Sequence, residues 1–550
     1  MSKYPFFAFI KNSLPAYLLL FVIGVLVLRP SFSMGLYGDE WQMLWFIKAI
    51  QLGSYHVLPT DIWNSYMNEM IVFDWLSYFF GYDGRFYYIF SFFCRILAVY
   101  ICYWFFYKRT ASKFISLLTS CLFLVSPVGI EATDWARNFD SYLGIALLLV
   151  IVDRLFELNK LKNVLLAVLF SIGLFLTNPL RSHGNILIIL VVIFFGILDK
   201  KSRKYSWLTG FLILMVYVLF INIQIFGGLT SFEMFTFDQY FANVKNLIGN
   251  IGRVFVPSIN LQQYIFGIVA FLFFVWKRSV FQSFSRIKLF IIIVYLITFG
   301  LVEYQIIFSQ PFTKNIYIGS FFLSWFLLIG LIEFITKKTE PFKQTIICLS
   351  LSVAFLVFPF LRQPHFQAAS EHRYLIYSSL AFVFMLGFLF QSLQDKTSKF
   401  IVVCCIGFIL VIFASSTQSY LLEKSITHNY HYSQYIWDQI YYLSKDFNMQ
   451  KKTTVIFVKS DFTNSSIFGD SVNFGFMFRY GLTFNVYQEK YLPYMMVEDR
   501  KGIYSLFTDG KRSLTYFPEI KKFNQADTLF FEINNGRVKR LSFEEAINER

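Results

Sequence analysis

Apolar runs of bilayer length recur from residue 13 to residue 416, and the loops between them alternate in charge. A membrane-crossing helix needs about 20 mostly apolar residues, with about 17 to 25 usual. Runs that meet or approach this length fall near 13–31, 86–107, 112–127, 141–156, 163–179, 184–198, 206–226, 262–277, 287–306, 316–335, 344–361, 374–391 and 399–416, which predicts about 13 transmembrane helices. Lys3 and Lys11 precede the first run, and Lys108, Arg109 and Lys113 lie between the second and third. Lys160 and Lys162 follow the fourth run, and Lys200, Lys201, Arg203 and Lys204 follow the sixth. The loop after the eighth carries Lys277, Arg278, Arg286 and Lys288; Lys337, Lys338 and Lys343 follow the tenth, and Lys396 and Lys399 the twelfth. Every second loop is therefore basic, and Lys and Arg accumulate in cytoplasmic loops. The expected topology puts the amino terminus inside and the carboxyl terminus outside. Pro15 to Leu28 lacks a small-residue cleavage signature, so it is expected to remain as a first span.

Composition supports this class and removes others. The chain is 56% hydrophobic and 15% charged, against roughly 25% charged in a soluble domain. That excludes intrinsic disorder, a fibrous repeat and a typical cytosolic enzyme. The formal charge of +15 is accounted for first by the basic cytoplasmic loops, so no nucleic-acid partner is expected. The six cysteines all sit in apolar runs and form no CxxC or zinc-like spacing. The expected fold is an all-α polytopic membrane domain over 1–416, with no internal repeat, followed by a small extracytoplasmic α/β or α+β domain over 417–550. In the second part, Thr453 to Lys459, Leu482 to Tyr487 and Thr528 to Ile533 read as strands, and Tyr432 to Phe447 as a helix.

The scarce charges on the outer side are where chemistry is expected. The first outer loop, about 32–85, carries Tyr37-Gly38-Asp39-Glu40-Trp41. Adjacent carboxylates at a membrane surface are costly unless solvated, paired or used. One can act as a general base while the other orients a substrate or metal; the plainer alternative is a solvated loop with Asp39 capping a helix. From Glu40 to Gln51 the residues Trp41, Leu44, Trp45 and Lys48 share a helical face, which fits a helix lying at the membrane interface. The second outer cluster runs from Glu131 through Asp134, Arg137 and Asp140 to Tyr142. Arg137 can pair with an acid or hold a phosphate. The alternative is a helix-start capping cluster, with Asp134 and Asp140 favoured by the dipole. Arg181 and His183, Lys314, Arg362, and His372-Arg373-Tyr374 are also outside. Arginine binds phosphate bidentately, and an apolar groove accepts an isoprenoid tail. These bases also suit interfacial anchoring.

The arrangement resembles the GT-C integral-membrane glycosyltransferases that use lipid-linked sugars, and within them the bacterial protein O-mannosyltransferase-like and aminoarabinose transferase-like group. The resemblance is carried by Asp39-Glu40 in the first outer loop, Ser126-Pro127 ending the third span, Ala136-Arg137, Asp140, and Arg373-Tyr374 before a late span. It runs through residues 1 to about 416. Where the group commonly has a proline soon after the late Arg-Tyr, this chain has Leu-Ile-Tyr-Ser-Ser. The resemblance implies a multi-pass protein of the bacterial cytoplasmic (inner) membrane. It implies a hexosyl- or pentosyltransferase using a polyprenyl-phosphate sugar donor and a lipid, glycan or protein acceptor. Asp39 would be the base, Glu40 would orient the acceptor, and Asp140 would hold Arg137 or a sugar hydroxyl. Asp134, Arg137, Arg181, His183, Arg362, His372, Arg373 and Tyr374 would contact substrate, with Arg373 foremost at the phosphate. Some members of the superfamily use a divalent metal and others do not, so no cofactor or metal ligand is assigned. Three other readings stay open: a lipid-linked oligosaccharide polymerase or ligase, a polysaccharide transporter, and a non-enzymatic envelope assembly protein.

Overall fold

A computed structural model describes residues 6–53, 66–177, 179–198, 202–226, 237–255, 297, 314–320, 339–362, 369–391, 398–430, 433–446, 454–458, 475, 478–480, 494–508, 524–534 and 536–548. Helices occupy the expected apolar runs up to residue 226 and again from 339. They are α1 (Phe6–Leu28), α2 (Asp39–Gln51), α3 (Tyr66–Phe80), α4 (Gly84–Thr110), α5 (Lys113–Val125), α6 (Phe139–Leu155), α7 (Leu161–Thr177), α8 (Pro179–Leu198) and α9 (Arg203–Phe226). Later come α10 (Val244–Phe255), α11 (Thr339–Arg362), α12 (Ser379–Gln391), α13 (Ser398–Tyr430), α14 (Ser433–Leu443) and α15 (Arg500–Thr508). The expected spans at 262–277 and 287–306, and most of 316–335, lie outside the described residues.

Three of the described helical stretches are long and apolar enough to cross a membrane: Ser13–Ser33, Gly84–Thr110 and Arg203–Phe220. The other apolar helices vary in length, from 13 residues in α5 to 33 in α13. At about 1.5 Å per residue, α5 falls short of a hydrocarbon core of about 30 Å. The lipid-like face is visible in Leu18, Val22 and Leu26 of α1 and Phe93 and Leu97 of α4, which stay exposed. The opposite face of α4 is buried between α5 and α6. Lys108 and Arg109, at the end of α4, meet Asp153 and Glu157 beside the end of α6.

The last helix of the apolar part does not stop at residue 416. α13 continues to Tyr430, and α14 follows it after two residues, shorter than the expected Tyr432–Phe447. A four-stranded sheet then forms from β1 (Thr454–Val458), β2 (Tyr494–Glu498), β3 (Thr528–Asn534) and β4 (Arg537–Leu541), in the order β2-β1-β3-β4. β1 is parallel to both neighbours, and β4 is antiparallel to β3. β1 reads Thr-Val-Ile-Phe-Val and is buried throughout, as suits a central strand covered on both faces. Val455 and Phe457 face the main core, whereas Ile456 and Val458 pack with Ile503 of α15. The expected strand Leu482–Tyr487 lies outside the described residues.

α2 takes the expected helical form but its aromatic face is not turned to lipid. Trp41, Leu44 and Trp45 are each 1% exposed. Trp41 packs 5.7 Å from Trp437 of α14 and 5.8 Å from Phe478. The Lys48 ammonium donates to the Phe478 carbonyl at 3.1 Å. The carboxyl-terminal part therefore offers α2 an apolar partner within the protein.

Candidate functional site

The acidic motif is built around a bend that needs glycine. Gly38 has φ +55 and ψ −130 and sits at the N-terminus of α2, a conformation costly for a residue with a Cβ. That bend lets the two adjacent carboxylates point to different places. Glu40 is fully buried. It accepts from the Tyr37 N–H at 3.0 Å, the Tyr88 O–H at 2.8 Å and the Ala136 N–H at 2.5 Å. Burial pushes the Glu40 carboxyl up to about 8, against the pull of these donors. Glu40 thus joins the segment around Tyr37 to the 131–138 segment. Asp39, the more accessible of the two, pairs through Oδ2 with Arg137 Nη1 at 3.1 Å. Arg137 Nε pairs with Glu69 Oε2 of α3 at 2.6 Å. An arginine held between two carboxylates has a fixed plane and position.

A second join brings in the late Arg-Tyr segment. The Gly129 and Glu131 N–H groups donate to the Ser370 and Glu371 carbonyls at 2.9 and 3.0 Å. Gly129 has φ +73, and a Cβ there would run into the Ile376 backbone. The Arg373 N–H donates to Glu131 Oε2 at 3.3 Å. Burial raises the Glu131 carboxyl above its usual range, and the Arg373 charge opposes that rise. The Arg373 guanidinium lies 3.7 Å over the Trp135 ring and 5.5 Å from the Tyr374 ring. It makes no ion pair or hydrogen bond among the described residues. The His372 ring caps the Arg373–Leu375 turn, its Nδ1 accepting from the Tyr374 N–H at 3.3 Å.

The remaining candidates divide. Asp134 is completely buried and faces Glu423 of α13, also completely buried. Outside each other, their carboxyl oxygens have no donor among the described residues. Burial raises both above the ordinary carboxylate range; the Asp134 charge raises Glu423 further, while a hydrogen bond from Glu423 pulls Asp134 down, so the pair keeps a proton. Asp140 is 5% exposed in the first turn of α6 and accepts from the Ser141 O–H at 3.3 Å. Arg181 and His183 lie in the first turns of α8, and Arg362 ends α11; their side chains are outside the description. These helices cross closely, since a Cβ on Gly184 would overlap the Phe358 ring, and Phe358 stacks 4.5 Å from Tyr377. Among the described residues no group of three or more His, Cys, Asp or Glu side chains is placed to hold a metal ion.

Four residues were not singled out by the sequence reading. Glu69 was one acid among several in the first outer loop. Trp135 stands inside the Glu131–Tyr142 cluster with no role expected of it. Arg95 lies inside an apolar run, which is itself a signal of function or pairing. It is 1% exposed and donates to Thr133 Oγ1 and the Leu124 carbonyl, both at 2.6 Å. Glu423 carries the same signal, just beyond the apolar stretch 399–416.

Comparison with known proteins adds a distant likeness. No family model matches the chain, and no curated protein matches it. It is similar in structure to the archaeal oligosaccharyltransferase AglB from Archaeoglobus fulgidus, solved in complex with an inhibitory peptide and a dolichol-phosphate. The TM-score is 0.44 at 12% identity, covering 82% of this chain. The chain spans 62% of the length of that protein.

Proposed function

We propose that the chain is a membrane-embedded glycosyltransferase. In this reading it moves a hexose or pentose from a polyprenyl-phosphate donor to a hydroxyl of a lipid, glycan or protein. The site would lie at the outer face of the bacterial cytoplasmic membrane. The observation that carries the reading is the convergence of Asp39, Arg137 and Arg373 on one short segment, residues 131–138. Asp39 pairs with Arg137, and Arg373 stacks on Trp135, so a partly accessible carboxylate and an arginine without an acid partner among the described residues share one support.

The chemistry is a single displacement. Asp39 accepts the proton of the acceptor hydroxyl, whose oxygen forms a bond to the anomeric carbon. The bond from that carbon to the phosphate oxygen breaks, and the polyprenyl phosphate leaves with the electron pair. The anomeric configuration inverts, and no glycosyl enzyme is formed. Arg373 stabilises the charge that develops on the departing phosphate. Arg137 holds Asp39 in place, and Glu69 holds Arg137. Glu40 is a positioning residue in this scheme, because its oxygens are already committed to three donors. Asp140, Arg181, His183 and Arg362 remain proposed substrate contacts by the family resemblance.

The test is transfer by the purified full-length chain from a panel of polyprenyl-phosphate sugars, with wild type beside Asp39→Asn. Transfer by wild type and its loss in the variant are expected. Equal transfer by both removes Asp39 from the mechanism, and no transfer from any donor removes the donor class.

A further inference from the structure

We propose that Trp135 is a positioning residue for the donor phosphate, presenting the Arg373 guanidinium edge-on to it; this rests on the glycosyltransferase reading above. The Arg373 guanidinium is seated 3.7 Å from the centre of the Trp135 ring. One face of the cation is therefore covered by the indole. The N–H edge, which makes no hydrogen bond among the described residues, is the part left for an anion. A guanidinium recognises phosphate through that edge, by paired N–H donors in one plane. Trp135 Nε1 is itself a buried donor with no acceptor among the described residues. Two unanswered donor groups thus belong to residues in face contact, a combination that favours an oxyanion over a neutral or cationic ligand.

The support extends behind Trp135. Its ring lies 5.4 Å from Tyr37, and Tyr37 stacks on Tyr430 at 3.8 Å and an interplanar angle of 12°. The Tyr37 O–H donates to the Asp134 carbonyl at 2.8 Å, and its N–H is held by Glu40. The result is a ladder of Arg373, Trp135, Tyr37 and Tyr430, drawn from four separate parts of the chain. It starts at the proposed phosphate contact and passes through the residue two before Asp39. Moving the indole would therefore misplace the leaving-group contact while the base stayed paired with Arg137.

The experiment is native mass spectrometry of the detergent-solubilised full chain, titrated with undecaprenyl phosphate and, separately, with undecaprenol. Wild type should prefer the phosphate, and Arg373→Ala should erase that preference. Trp135→Leu should weaken phosphate binding by about tenfold while changing undecaprenol binding by less than about twofold. In the Arg373→Ala background, Trp135→Leu should cost nothing further, because the two act as one unit. If Trp135→Leu weakens both lipids alike, or adds its full loss to Arg373→Ala, Trp135 is a packing residue and the proposal is overturned. Should Trp135→Leu fail to fold, Arg373→Lys decides. An ammonium lacks the planar fork that the stack presents, so Arg373→Lys should bind as weakly as Arg373→Ala, and binding at the wild-type level refutes the inference. Failure of the underlying glycosyltransferase reading looks different: wild type would then bind the two lipids equally.

Discussion

Two buried charge networks occupy opposite ends of α4 and α6, and they are built on different plans. At the end carrying the basic loop, Asp153 is completely buried and is paired with Lys108 at 2.7 Å and with Arg109, while Glu157 lies 2.9 Å from Lys108. Arg154 Nε also lies 3.7 Å from Asp153, so three bases meet two acids there and each acid has a basic partner. At the other end, Arg137 sits between Asp39 and Glu69, but Arg373 has an aromatic face where an acid would stand. Asp134 and Glu423 hold more carboxyl groups than Arg95 can neutralise. The first network is a clamp between two helices in which each carboxylate has a basic partner. In the second, the Arg373 guanidinium has no acid partner among the described residues, as the proposed anion site requires.

The largest separation between the two is expected in a pair of carboxylate-to-amide variants. Asp39→Asn should lower transfer by about 10²- to 10⁴-fold, the usual worth of a general base. Its effect on stability should stay within about 1 kcal/mol, since Asp39 is partly solvated and Arg137 keeps Glu69. Asp153→Asn should do the reverse. It leaves Lys108 and Arg109 beside an amide, and removing one partner of a buried pair costs about 3 kcal/mol or more. Transfer per folded molecule should be unchanged. Denaturant titration in mixed micelles, run beside the transfer assay, separates them. If Asp39→Asn destabilises as much as Asp153→Asn and leaves transfer intact, the two networks are the same kind of object.

Glycine at the bend gives the next effect. Gly38→Ala should cost about 1–3 kcal/mol, the range for a non-glycine residue forced into a left-handed conformation. It should also lower transfer, because the bend is what sends Asp39 and Glu40 in different directions. A variant with wild-type stability and transfer would show that the bend can relax without moving Asp39.

The third difference is in pH response. Asp134 and Glu423 have raised values, so the folded state holds a proton that the unfolded state releases near pH 4. The folded state binds more protons over that interval, and stability therefore falls as pH rises. The contribution is complete below about pH 4 and is lost as pH climbs through the raised value of the pair, at about 1.4 kcal/mol per unit within the window. Glu40, pushed up to about 8, acts in the same direction. Glu423→Gln keeps the shape of a protonated carboxyl, so its melting temperature should vary less between pH 5 and about pH 8 than that of wild type. Parallel curves for both proteins would show that the pair is not the source of the slope.

Much of this was readable in the chain, and the reasons for the gaps are physical. Apolar run length located the described helices up to residue 226 and from 339 onward, three of them long and apolar enough to cross a membrane. β1 and β3 were visible because a covered central strand is apolar and β-branched. β2 escaped because Tyr-Met-Met-Val-Glu has few β-branched residues, and β4 because Arg-Val-Lys-Arg-Leu is a charged edge. The aromatic stripe of α2 was correct as a helix, but periodicity does not say whether lipid or protein covers a face; Trp437 and Phe478 cover it. In the site, spacing alone does not separate adjacent Asp39 and Glu40, and only the family resemblance names Asp39 as base; in the structure the φ of Gly38 and the donor from Ala136 separate them. The Arg373–Trp135 contact joins residues 238 positions apart in the sequence, and no local spacing encodes it.

The smallest expected effect tests whether the open network is held by stacking or by hydrogen bonds. Tyr37→Phe removes the O–H that donates to the Asp134 carbonyl at 2.8 Å and leaves the ring that stacks on Tyr430. A single neutral hydrogen bond contributes about 1 kcal/mol, and somewhat more when a buried acceptor is left bare. Stability should therefore fall by about 1–2 kcal/mol. The ring ladder is intact in this variant, so KM for the lipid donor should not move, whereas Trp135→Leu should raise it. A rise in KM for Tyr37→Phe equal to that for Trp135→Leu would mean that the hydroxyl, and through it the Asp134–Glu423 pair, sets the position of Arg373. The two charge regions at this end of α4 and α6 would then be one unit, and the pH slope described above would appear in KM as well as in stability.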